Sequence, residues 1–166
     1  MSLGLMLFTL AHVLLSLVGI VSGFLVAFDL FAGKSRAGMT ALFLATTFAT
    51  SATGFLFPFH GFLPSHKVGI VSLVVLAVAA IALYTKHLAG AWRRTYVVTA
   101  VIALYLNVFV LVAQAFQKLP ALKALAPTQS EPPFLGAQAV VLAIFIAIGV
   151  VAAIRFRLPP GNPGAA

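Results

Sequence analysis

The chain has 166 residues, of which 63% are hydrophobic and only 7% charged, and it carries a formal net charge of +8. A water-facing domain holds about 25% charged residues, so this composition excludes a disordered chain, a nucleic-acid-binding domain and an ordinary cytosolic enzyme. The absence of cysteine excludes disulfides, thiolate metal sites, iron–sulfur clusters and a cysteine nucleophile.

Apolar stretches of about 20 residues are long enough to cross the hydrocarbon core as helices. Five are predicted, at 5–31, 39–58, 68–85, 96–116 and 135–154, giving an all-α bundle of five transmembrane helices. The first runs into Gly33-Lys34-Ser35-Arg36, a stop signal rather than a cleavage site, so it reads as a retained helix and not as a signal peptide. Pro58 and Pro64 bracket a tight turn after the second segment, and Lys86, Arg93 and Arg94 separate the third from the fourth. The break at 118–133 holds four prolines and Glu131, which places it outside the membrane. The tail 158–166, with three prolines and two glycines, reads as disordered, leaving 1–157 as a single transmembrane domain.

Five spans put the two ends of the chain on opposite sides. One side then collects seven basic residues, Lys34, Arg36, Lys86, Arg93, Arg94, Arg155 and Arg157, against three on the other, Lys67, Lys118 and Lys123. The positive-inside rule therefore predicts the N-terminus outside and the C-terminus in the cytoplasm. Tyr84 and Trp92 fall at the inner interface, where belt aromatics sit.

With that topology the polar residues are one-sided. His12, His60 and His66, together with Gln114, Gln117, Gln138 and the loop residues Thr128, Gln129, Ser130 and Glu131, gather at the outer end, whereas His87 lies among the inner cations. Imidazoles near a carboxylate suit a divalent transition metal, and a pair of imidazoles suits the iron of haem b. The candidate metal ligands are His12, His60, His66 and Glu131. The same histidines with Gln114 and Gln117 form the candidate cofactor-binding set for a haem or quinone-linked redox site. Histidines at helix ends also sit at lipid headgroups for no reason beyond low cost, and that alternative stays open.

Within the spans, His12, Ser16, Gly19 and Gly23 share one face of the first helix. That face is either a small-residue packing seam or a surface for a flat ring. Thr47, Thr50, Ser51 and Gly54 form a hydroxyl-rich face on the second, suited to helix–helix glue or to a polar path. Asn107 falls near mid-membrane, and an amide there needs a protein partner. Asp29 is expected to form an interfacial ion pair with Lys34 or Arg36. No Ser-His-Asp set, mid-span lysine or glycine-rich phosphate loop is present, and two acids on opposite sides exclude a paired-carboxylate di-iron site.

The stretches TSATGFLFPFHGFLPSHKVGIVSL, 50–73, and APTQSEPPF, 126–134, resemble blocks of a family of small proteobacterial multi-pass inner-membrane proteins. That resemblance implies a bacterial inner membrane and brings no activity with it. A looser resemblance, through histidines on several apolar helices, is to small b-type cytochromes. Three functions follow as expectations: a histidine-lined haem or metal protein, an accessory or structural subunit of a larger membrane complex, and a small oligomeric channel or transporter. Homo- or hetero-oligomers fit all three.

Overall fold

Residues 2–57 and 64–157 are described by a computed structural model, and every regular element among them is helical. Ser2 opens α1, Leu3–Phe31, by accepting the Leu5 amide on its hydroxyl at 3.3 Å, which satisfies one of the unpaired first-turn donors. The helix stops at Ala32, and Gly33, with φ +67°, supplies the left-handed turn that lets the Lys34 amide return to the Asp29 carbonyl at 2.8 Å. The Asp29 carboxylate accepts Arg36 Nε at 2.7 Å across the same turn. Of the two basic partners expected for Asp29, Arg36 is the one used.

α2, Ala37–Gly54, returns antiparallel along α1. α3, Pro64–Ala80, continues into a π-helical turn at Ile81–Thr85. It begins four residues before the expected start at 68, because proline lacks the amide that a first helical turn leaves unpaired and so opens a helix rather than only ending a turn. His66 accordingly belongs to the first turn of α3. α4, Trp92–Lys118, is followed by α5, Pro120–Leu125, a short helix within the proline-bearing loop, and by α6, Pro132–Arg155. His60 and the tail 158–166 lie outside the described residues, and so does the Pro58 end of the second expected span.

Among the described residues, four helical stretches are long and apolar enough to cross a membrane: Leu3–Phe31, His66–Thr85, Trp92–Lys118 and Pro132–Arg155. α2 is not among them. Its 18 residues include the hydroxyls of Thr40, Thr46, Thr47, Thr50, Ser51 and Thr53, which lower its hydropathy.

α4 is the hub of the bundle, and α3, α2, α1 and α6 form an arc around it in that spatial order. Small side chains let the helices close: Ala79, Ala82, Ala103 and Ala152 are fully buried at the seams. Phe43, Leu104 and Phe145 fill the space between them. The α1 seam is a close approach. A methyl group on Gly23 would lie 2.6 Å from Leu104 Cδ1 and 2.8 Å from Phe43 Cε2, and one on Gly19 would lie 3.3 Å from both Thr46 Oγ1 and Thr47 Oγ1. The face below His12 is thus filled by α2 and α4 rather than left for a flat ring. A second, smaller core of Phe116, Ala126 and Phe134 folds the α4–α6 loop down, with the two phenylalanine rings edge-on at 5.3 Å.

Candidate functional site

His12 sits on the α2-facing side of α1, half-buried, with its Nδ1 2.9 Å from Thr53 Oγ1. The hydroxyl of Thr53 lies 2.7 Å from the Ala49 carbonyl and 3.3 Å from that of Thr50, so its one proton is directed at the backbone of α2. It therefore meets His12 as an acceptor, and His12 Nδ1 is the donor. This fixes the neutral ring as the Nδ1–H tautomer and puts the basic lone pair on Nε2. No described residue hydrogen-bonds that Nε2. Phe57 stands edge-on to the imidazole at 5.0 Å and packs at a tilt against Phe8 at 4.8 Å, so apolar rings hold one side of the histidine.

His66 is buried in the first turn of α3, with its ring 5.6 Å from that of Phe55. The two described histidines of this end therefore meet the same stretch at the end of α2, His12 at Thr53 and Phe57 and His66 at Phe55. Gly69, one turn below His66, lets Phe55 reach α3, since a methyl there would come within 3.1 Å of the Phe55 ring.

Glu131 and Gln117, also in the expected set, are engaged within the α4–α6 loop. Glu131 accepts the Thr128 hydroxyl at 2.8 Å and the Thr128 and Ser130 amides at 3.0 Å each. Desolvation pushes its carboxyl up, but these three donors outweigh that effect and hold it below the ordinary carboxylate range. Gln117 Nε2 donates to Gln129 Oε1 at 3.2 Å, and Gln129, in left-handed backbone at φ +60°, donates in turn to the Ala113 carbonyl at 2.7 Å. Gln114 lies half-buried on α4 one turn before Gln117. Among the described residues no group of three or more His, Asp or Glu side chains converges as a metal cage.

Deeper in the bundle, Asn107 Nδ2 donates to the buried Thr47 hydroxyl at 3.0 Å, beside Gly19. Ser51 donates to Ser72 at 2.9 Å, joining α2 to α3, and Gln138 donates to the Phe109 carbonyl at 3.1 Å, joining α6 to α4. Thr46 bonds back to the Leu42 carbonyl of its own helix at 2.7 Å. Most of the α2 hydroxyl face is therefore engaged as helix–helix glue or backbone back-bonding.

Two contributors were not legible in the sequence. Thr53 was one hydroxyl among six on its segment, and nothing in spacing pairs it with a histidine 41 positions earlier. Gln129 stitches the loop to α4 only because of its left-handed backbone, a conformation its residue type does not announce. No family model, curated protein or solved structure matches the chain.

Proposed function

We propose that this is a five-span protein of a bacterial inner membrane, N-terminus outside, that carries a histidine-ligated metal centre at its outer end. The metal is a haem iron or a divalent transition ion, with His12 Nε2 as its principal protein ligand and His60 and His66 as the further imidazoles. The observation that supports this is the Thr53–His12 bond. Metal-binding histidines are held by a hydrogen bond to the other ring nitrogen, which sets the tautomer and the ring's orientation, and His12 has that arrangement. Neutral imidazole is a ligand that both haem iron and the common divalent ions accept.

Two observations support the fifth span. α2 pairs with α1 from the His12–Thr53 bond down to the approach of Gly23 to Phe43, so it runs antiparallel beside the central turns of α1. Its 18 residues give a length of about 27 Å, close to the hydrocarbon thickness. The distribution of basic residues then sets the orientation.

The donor set favours an imidazole site over a mixed one. Glu131 already accepts three hydrogen bonds in its own loop, whereas no described residue engages the Nε2 of His12. An optical spectrum of the purified protein, as isolated and after dithionite, tests the haem form. A Soret band that shifts on reduction and is lost in His12→Ala supports it, and a featureless spectrum removes haem and leaves only a colourless ion.

A second reading, a structural subunit of a larger membrane complex, is favoured by a different observation. Asn107, Ser51, Gln117, Gln138 and Glu131 all have hydrogen-bond partners inside the chain, which is how a passive scaffold holds its helices. A stable, monodisperse, metal-bearing particle when the chain is expressed alone counts against that reading.

A further inference from the structure

The other end of the bundle has an open cleft of about 1020 Å³ between the α3–α4 connection and the last turns of α6. His87, Arg93, Arg94 and Arg157 form its polar side, and Val150 and Ile154 belong to its apolar wall. The connection leaves the π-helical turn and passes through left-handed backbone at His87, Leu88 and Gly90 before α4 begins at Trp92.

Two features of this cleft run against local electrostatics. Arg93 and Arg94 stand in the first turn of α4 with no acidic residue beside them, although the positive end of a helix macrodipole disfavours cations there. Neither acidic side chain of the chain is committed to these cations. Its two acids are Asp29, paired with Arg36, and Glu131, bound by Thr128 and Ser130 in the α5–α6 loop. Such a departure from the local rules marks a functional position when an outside partner supplies the compensation.

The cations are also held in place. Arg93 Nη1 donates to the Phe156 carbonyl, and Phe156 is buried against Tyr96, so the end of α6 is fixed and Arg157 is kept beside the α4 arginines. Arg94 and Arg157 are exposed, and so are Val150 and Ile154 on the adjoining face of α6. Guanidinium groups bind phosphate oxygens in a bidentate fork, and a strip of exposed aliphatic side chains alongside suits an acyl chain.

We infer that this cleft binds an anionic phospholipid, whose phosphate is taken by Arg94 and Arg157 and whose chain lies along Val150 and Ile154. Basic clefts at a membrane surface recognise such headgroups by charge, and the apolar wall distinguishes a lipid from free phosphate. This site is separate from the histidine end and does not depend on it.

The test is thermal unfolding of the full chain in a neutral detergent, titrated with phosphatidylglycerol, with phosphatidylcholine or with inorganic phosphate. Phosphatidylglycerol is expected to raise the midpoint saturably and phosphatidylcholine to leave it unchanged. The double variant Arg94→Gln, Arg157→Gln should weaken the apparent affinity by about tenfold or more, since each charge-assisted bond lost is worth roughly a factor of ten. The charge-matched variant Lys118→Gln, Lys123→Gln, at the opposite end, should keep the wild-type affinity. Equal losses in both double variants would show general charge attraction and overturn the proposal. Inorganic phosphate reproducing the whole shift would overturn the lipid assignment, and so would an equal response to phosphatidylcholine. Arg93 is left unchanged because of its bond to Phe156, and single Arg157→Gln replaces the double variant if the latter does not fold.

Discussion

The α1 seam gives the sharpest stability test of the fold. Adding one methyl group in Gly23→Ala puts a carbon 2.6 Å from Leu104 Cδ1 and 2.8 Å from Phe43 Cε2. Non-bonded carbons prefer about 3.5–4.0 Å, so the helices must part by about 1 Å or the two side chains must move. Neither side chain has room, since each is only 1% exposed. Overpacking of this kind costs about 1–3 kcal/mol, against a helix-propensity gain of about 0.5–1 kcal/mol for replacing glycine. The expected net effect is a destabilisation of about 1 kcal/mol. Gly136→Ala, where nothing lies within 4 Å of the new carbon, keeps the propensity gain and should be neutral or stabilising. Unfolding by sodium dodecyl sulfate, followed by circular dichroism in mixed micelles, compares the two directly. Leu104→Ala should cost less in the Gly23→Ala background than in the wild type, because the added methyl group occupies part of the space it vacates. If Gly23→Ala is as stable as Gly136→Ala, α1 does not pack on α2 and α4 as described.

Thr53→Val removes the acceptor that orients His12, and metal affinity should fall by about 10–100-fold while Thr53→Ser retains it, as read by competitive titration with a chelator. Equal affinity in the valine variant would show that Thr53 does not position the ring. Asn107→Ala should lower stability by about 0.6–2 kcal/mol, the range for interhelical hydrogen bonds in membranes, and a double-mutant cycle with Thr47→Ala should recover most of that as coupling. Additive losses would refute the pair. The Glu131 carboxyl is held below its ordinary value of 4.5, so its hold on the Thr128–Ser130 loop is complete above that value and is lost as pH falls through the lower, folded value. A carbon-detected NMR titration of Glu131 should have its midpoint below 4.5, and one at or above 4.5 contradicts the hydrogen-bonded loop.

What the sequence made legible was set by hydropathy and breakers. The apolar runs place α1, α3, α4 and α6, because long apolar stretches between charges have few other solutions in a membrane. The Asp29 ion pair and the Gly19/Gly23 seam were also readable, since spacing alone puts small residues on one face. The α3 start was missed because a proline marks both the end of a turn and the first turn of a helix, and Pro64 plays the second part. α5 was missed because a six-residue helix between two prolines carries no periodicity to detect. The histidine end was legible only as a shared depth. That His12 meets Thr53 and His66 meets Phe55 depends on how α1 and α3 turn about α2, and helix rotation is set by packing rather than by any local pattern.

The claim that His12 is the ligand of a metal centre is tested most directly by metal content per chain. Elemental analysis of the purified full-length protein, wild type beside His12→Ala, counts haem iron and free divalent ions alike. A fixed stoichiometry of one metal in the wild type that is lost in His12→Ala, with the helical content of the two proteins equal, is the result expected here. A metal-free wild type, or an unchanged stoichiometry in His12→Ala, would contradict it.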